Sequence, residues 1–258
     1  MSLYFGPSGL GPTENAIKTL EEFHKLGIKA CEIAFTRGIY IKEKKDALEI
    51  GKKAKELGIK LSIHAPYWIN LNSLEKEKIE QSKQRILECC KVGTYLGAYR
   101  VVFHAGFYLK MDKEKVYENI KQAMLDIQKE IKAKGYTPKL APETMGKINV
   151  FGSVEEIHKL YEETNCEFCI DFAHVLARYK DYRFKETLEL FKKSKELHIH
   201  FSGIEYGEKG EKNHKKTTKE EIQKLLSALP KDKEIVIINE SPDQLQDSLV
   251  SLKMSKVY

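Results

Sequence analysis

Residues 61–71, LSIHAPYWINL, read as a short strand running into a loop that opens on His64. Leu61 and Ile63 alternate with Ser62 and His64, so an extended backbone sends Ser62 and His64 to one side and the two apolar residues to the other. Pro66 cannot donate to a ladder and ends central pairing, and two large aromatics, Tyr67 and Trp68, follow at the tip. One histidine at a strand end is ordinarily a satisfied core or rim residue. Here the same construction recurs along the chain.

Working outward, strand and helix patterns alternate. The strands are expected at Leu3–Gly6, Ala30–Phe35, Lys60–Ala65, Arg100–Gly106, Lys139–Thr144, Glu167–Ala173, Glu196–Gly203 and Glu234–Glu240. Stretches of helical period lie at 13–26, 42–57, 74–96, 112–134, 153–164, 183–194, 217–229 and 242–253. Thr13, the Ser153 and Glu156 capping box, Gly27, Gly58, Gly135 and Pro230 punctuate them. Eight strands alternating with eight helices predict an α/β fold, one (β/α)8 TIM barrel over residues 1–258. A doubly wound sheet is the alternative, but no GxGxxG follows the first strand.

Composition agrees with one large core: 258 residues, 41% hydrophobic and 32% charged, with no linker-like segment. No long apolar run, signal region or lipidation motif is apparent, so a soluble, cytoplasmic protein without a membrane partner is expected, acting as a monomer. Five cysteines are an odd number, and the CxxC of Cys166 and Cys169 has no second pair, so core packing is the expectation for them. The net charge of +6 comes from lysines interleaved with glutamates on helix faces, and it is compatible with a polyanionic partner.

In such a barrel the chemistry sits at the C-terminal ends of the strands. Those ends carry His64, His104, Glu143, Asp171 followed by His174, His200, and Glu240, whereas His24 and His158 fall in helices. Buried imidazoles and carboxylates are costly without partners, and divalent cations remove that cost. The set has no thiolate, which suits zinc, manganese, iron or cobalt. It exceeds the need of one ion, so at least two are inferred, with Glu143 bridging. His198 shares the inward face one layer deeper and is expected to orient its neighbour rather than bind metal.

The order and context of these residues resemble the endonuclease IV family of apurinic/apyrimidinic endonucleases, within the superfamily of xylose-isomerase-like barrels. HAPYWINL is the most specific match; FHAG, PETMGK, CIDFAH, HFSG and INESPD around His104, Glu143, Asp171 and His174, His200 and Glu240 follow in order. The resemblance implies a site of two to three zinc ions, with manganese the substitute: His64, His104 and Glu143 on one; Glu143, Asp171, His200 and Glu240 on the second; His174 and His214 on the third. Glu143 and Glu240 would be the catalytic carboxylates. The family pattern has an aspartate two residues before the loop histidine, but Lys212 stands there, and Glu211 is the nearest carboxylate that could replace it.

The implied activity is hydrolysis of the phosphodiester 5′ to an abasic site in duplex DNA. Tyr67 and Trp68 would act as wedges, with Arg37 beside them. A single-metal sugar isomerase or epimerase is the alternative, since Glu143, Asp171, His200 and Glu240 suffice for one ion and an aromatic loop can cover a sugar. A metal-binding DNA module without catalysis is the third reading.

Overall fold

The computed structural model describes residues 2–257; the expected domain's end residues, Met1 and Tyr258, lie outside them. Ten strands and nine α-helices are found among the described residues. The barrel strands are β1 (Ser2–Pro7), β2 (Ala30–Ala34), β3 (Lys60–His64), β4 (Arg100–Phe103), β5 (Lys139–Pro142), β6 (Ile170–Asp171), β7 (Glu196–His200) and β10 (Glu234–Asn239). They pair in parallel as two four-stranded arcs, β2-β3-β4-β5 and β6-β7-β10-β1. Parallel bridges between Ser8 and Glu32 and between Glu143 and Cys169 join the arcs into a closed (β/α)8 barrel. Gly6 permits the approach of β1 to β2, because a Cβ there would lie 1.8 Å from the Ala30 carbonyl oxygen.

The helices are α1 (Ala16–Lys25), α2 (Lys44–Leu57), α3 (Lys76–Leu96), α4 (Lys113–Lys134), α5 (Val154–Thr164), α6 (Phe172–Tyr179), α7 (Phe184–Leu190), α8 (Lys219–Ala228) and α9 (Gln244–Ser255). Gly58 and Gly135 close α2 and α4 in left-handed conformation, and Ser153 with Glu156 forms the capping box of α5. No helix among the described residues is long and apolar enough to cross a membrane.

Among the local expectations that change, such as the fourth strand ending at Phe103 and the helix expected at 183–194 spanning Phe184–Leu190, three stand out. The sixth strand is only Ile170–Asp171; Phe172 and Ala173 already belong to α6, because Asp171 caps that helix through a hydrogen bond from the His174 amide. The seventh strand stops at His200, not Gly203, and the segment after it is an antiparallel hairpin, β8 (Gly203–Gly207) and β9 (Gly210–Lys215). Thr13 opens a 3-10 turn and α1 starts at Ala16 without a side-chain cap.

The two-residue period sorts the side chains as the sequence predicts. Leu61, Ile63, Val101, Phe103, Leu197, Ile199, Ile235 and Ile237 join the main apolar core together with helix residues. Inside the barrel, charged groups occupy the N-terminal end. Arg100, 2% exposed, donates to the Phe168 carbonyl at 2.8 Å and to Glu167 and Glu196 at 3.0 Å each, and Lys60 pairs with Glu196 and Glu234. Small apolar groups, Val102, Ala141 and Cys169, cluster above. All five cysteines are buried and free, as core packing requires.

Removing one member of a buried ion network leaves its partners uncompensated. Arg100→Ala is therefore expected to cost about 3 kcal/mol in denaturant unfolding; a loss below about 1 kcal/mol, the range of exposed pairs, would show the network to be solvent-screened.

Candidate metal centre

Every strand-end residue singled out in the sequence reaches the same mouth. Glu143, completely buried, stands at its centre, with its Oε2 at 3.2 Å from both His64 Nε2 and His104 Nε2 and its Oε1 at 3.1 Å from His174 Nδ1 and 3.4 Å from His200 Nδ1. At the mouth three sets offer ligand atoms within 4.8 Å of one another: His64, His104 and Glu143; Glu143, Asp171, His200 and Glu240; and Asp171, His174 and His214; a fourth, Cys169, His198 and His200, lies deeper. Glu143 and Asp171 each belong to two of them.

Hydrogen bonding fixes which ring nitrogen each histidine turns inward. The Nδ1–H of His64 donates to the Ala65 carbonyl at 2.8 Å, and Nε2 faces Glu143 Oε2 at 3.2 Å. There the protonated ring donates to the carboxylate, and the ring without that proton would turn a lone pair to a cation. His174 donates from Nδ1 to the Thr144 carbonyl at 2.9 Å and turns Nε2 toward Glu211. A ring held by a carbonyl on one nitrogen, with the other opposing a carboxylate, is how a ligating histidine is oriented. The positive charge between ring and carboxylate is a proton on the imidazole or, in its place, a cation.

Five of the six buried side-chain polar atoms lacking a hydrogen bond among the described residues lie here: Glu32 Oε1, Glu143 Oε1, Asp171 Oδ2 and both ring nitrogens of His200. Such atoms cost free energy unless something compensates them. Divalent cations fit this donor set of imidazoles and carboxylates.

The charges respond to the same crowding. Burial works against charge on Glu143, yet the positive His104 and His200 rings and hydrogen bonds from His104 and His174 hold its carboxyl well below the usual range. Burial likewise opposes ionisation of Glu240, and His200 overcomes it, holding the group near about 2. Asp171 is pushed up by burial despite His174 and His214. His64 is disfavoured as a cation by burial but raised to about 9 by its hydrogen bond to Glu143 and the neighbouring carboxylates.

The hairpin resolves the departure at Lys212. Ile204 pairs with His214 and Glu205 with Asn213, but Tyr206 pairs with Glu211, so Lys212 is the extra residue of a β-bulge. Simple alternation from His214 would aim residue 212 inward; the bulge aims 211 instead. Glu211 Oε2 accordingly lies 3.1 Å from His174 Nε2 and accepts from the Gly146 amide at 3.1 Å, while Lys212 is exposed beside Glu205. A Cβ on Gly146 would come within 2.4 Å of that oxygen, so a residue with a side chain there would displace Glu211.

Above the cluster is a cavity of about 330 Å³, lined by His64, Tyr67, His104, His174, Glu211, His214 and Glu240 among others. Tyr67 stacks on His104 with centroids 5.5 Å apart, and Trp68 projects with 60% of its surface exposed. Arg37 is exposed on the loop whose Thr36 carbonyl accepts from the Tyr67 amide. Sequence reasoning missed Glu32. It sits in β2, fully buried, and its one signal was a lone carboxylate at an inward position of an apolar strand, ACEIAF.

A sequence profile of the xylose isomerase-like TIM barrel matches residues 20–249, most of the chain. The chain belongs to that family. An uncharacterized protein of Methanocaldococcus jannaschii is 38% identical, covering 97% of this chain and 96% of its own. A probable endonuclease 4 of Aquifex aeolicus is 26% identical over 59% of this chain and 55% of its own. Among solved structures, endonuclease IV from Thermus thermophilus superposes with a TM-score of 0.71 at 18% identity, covering 100% of this chain and 98% of that one. D-psicose 3-epimerase from Clostridium cellulolyticum superposes with 0.70 at 14%, covering 100% and 99%. The same scaffold is thus found in an endonuclease and in an epimerase.

Metal ligands must be deprotonated, so cation uptake should displace protons from this cluster. Apparent zinc affinity is expected to rise with pH until about 9, where His64 gives up its proton unaided. Calorimetry in buffers of differing ionisation enthalpy checks this; uptake without proton release between pH 6 and 8 would contradict it.

Proposed function

We propose that this chain is a metal-dependent DNA repair endonuclease that hydrolyses the phosphodiester 5′ to an abasic site, using two to three zinc-class ions, as a cytoplasmic monomer. The observation that carries the reading is the sharing of Glu143 and Asp171 between ligand sets, which supports a polynuclear site. Cations in such a site make water a nucleophile near neutral pH and neutralise charge on the phosphate and the leaving oxygen.

The protein's own groups do the rest. Glu143 spans the His64 and His104 set and the His200 and Glu240 set, and holds them in register. His174, His214 and Glu211 form the side of the mouth beneath the hairpin. Tyr67 and Trp68, with Phe107 and Ile148 at 41% and 49% exposure, make an apolar rim suited to unstacked bases. Exposed Lys147, Lys209 and Lys212 and the net charge of +6 favour a polyanion over a neutral sugar. The partial sequence match to probable endonuclease 4 supports the same assignment.

One observation favours a second reading. Glu143, Asp171, His200 and Glu240 are a self-sufficient set for one ion, and the cavity of about 330 Å³ accommodates a sugar. In that reading Glu143 and Glu240 would move a proton beside a polarised carbonyl, as in sugar epimerases.

Incubation with a duplex containing one abasic site separates the two. Chelator-sensitive cleavage leaving a 3′-hydroxyl is expected, and an intact duplex together with turnover of a ketose would establish the epimerase. Trp68→Ala is expected to weaken binding to abasic duplex at least tenfold, a loss of about 1.4 kcal/mol on the scale of one base stacking contact, with metal content unchanged. Normal binding by that variant would make Trp68 a lid residue.

A further inference from the structure

Beneath the mouth a chain of buried polar groups runs into the barrel and ends on one ring nitrogen of His200. Tyr99 Oη lies 2.6 Å from His198 Nδ1, His198 Nε2 lies 3.1 Å from Glu32 Oε2, and Ser62 Oγ donates to that same oxygen at 2.8 Å. The other carboxylate oxygen, Glu32 Oε1, is 2.9 Å from His200 Nε2, within hydrogen-bond distance although the two are not aligned as a hydrogen bond, and neither atom has another partner. Glu32, Ser62, His198 and His200 are all essentially excluded from solvent.

We infer that Glu32 is a positioning residue, which holds the Nε2–H of His200 and thereby presents the Nδ1 lone pair to the set formed with Glu143, Asp171 and Glu240. The donor count supports this. An ionised carboxylate only accepts, and Ser62 and His198 both address Oε2, so Oε1 is left for His200. Glu32 holds His200 as the Ala65 and Thr144 carbonyls hold His64 and His174, but a carboxylate also raises the basicity of the ligating nitrogen. His198 and Tyr99 keep Glu32 from rotating away.

Cys169, His198 and His200 also offer ligand atoms within 4.8 Å of one another, so a cation could in principle occupy this lower level. Both His198 nitrogens, however, are engaged by Tyr99 and Glu32.

The inference rests on the metal-centre reading, and the test keeps the two apart. Histidine nitrogen NMR of zinc-loaded protein is expected to show His200 protonated on Nε2 and coordinated through Nδ1. The Nε2 proton is expected to be hydrogen-bonded in metal-free protein too, and this bond to be lost in Glu32→Gln. Chelator competition should find zinc bound about ten- to a hundredfold more weakly in Glu32→Gln, with partial rescue by Glu32→Asp. His200 protonated on Nδ1, or a Glu32→Gln protein with unchanged affinity and an unchanged His200 signal, would overturn the inference. So would a thiolate charge-transfer band in cobalt-loaded protein, since it would turn His200 toward Cys169. Failure of the wild-type protein to take up any cation would reject the metal centre instead, leaving the Nε2 bond to be read in the metal-free spectrum.

Discussion

Carboxylates brought together inside a barrel mouth repel one another, and burial removes the water that would screen them. Glu32, Glu143, Asp171 and Glu240 are in that position here, and three of them keep a buried oxygen without a hydrogen bond. The imidazoles of His64, His104, His174 and His200 lie between them at 2.9–3.5 Å, close enough to supply positive charge as bound protons. They are equally placed to give those protons up to cations. The burial of the mouth, its crowded charge and its capacity for metal are therefore one property. The ion network at the opposite end of the barrel is different in kind, because Arg100, Lys60 and Lys139 already neutralise Glu167, Glu196 and Glu234.

Much of this was legible in the sequence. A two-residue period locates Ser62 and His64, or His198 and His200, on the inward face whatever the exact strand ends, and the fold's geometry then delivers residues far apart in sequence to one rim. What escaped the reading depends on local backbone events. Asp171 both ends a strand and caps a helix, so the sixth strand is far shorter than its apolar run. The bulge at Lys212, which turns Glu211 inward, is not visible in the sequence, where Glu211 stood out only as the nearest carboxylate. Glu32 escaped because a lone carboxylate in a strand has no partner visible in sequence; Ser62, His198 and His200 become its neighbours only when the barrel closes.

The departure at Lys212 has a physical consequence. In place of an aspartate in step with His214, the hairpin supplies a glutamate one residue earlier, and the longer side chain and the bulge together bring its carboxylate to His174. That approach depends on Gly146, whose missing side chain is filled by Glu211. The side of the mouth beneath the hairpin is therefore built by three adjustments that fit each other: bulge, longer acid and glycine.

The central claim is that the imidazoles and carboxylates of the mouth share cations across overlapping sets. Anomalous diffraction at the zinc edge from crystals of the reconstituted protein tests it most directly. The account predicts at least two peaks, about 3.5–4 Å apart, with Glu143 between them. A single peak within Glu143, Asp171, His200 and Glu240, and none beside His64 and His104, would contradict it.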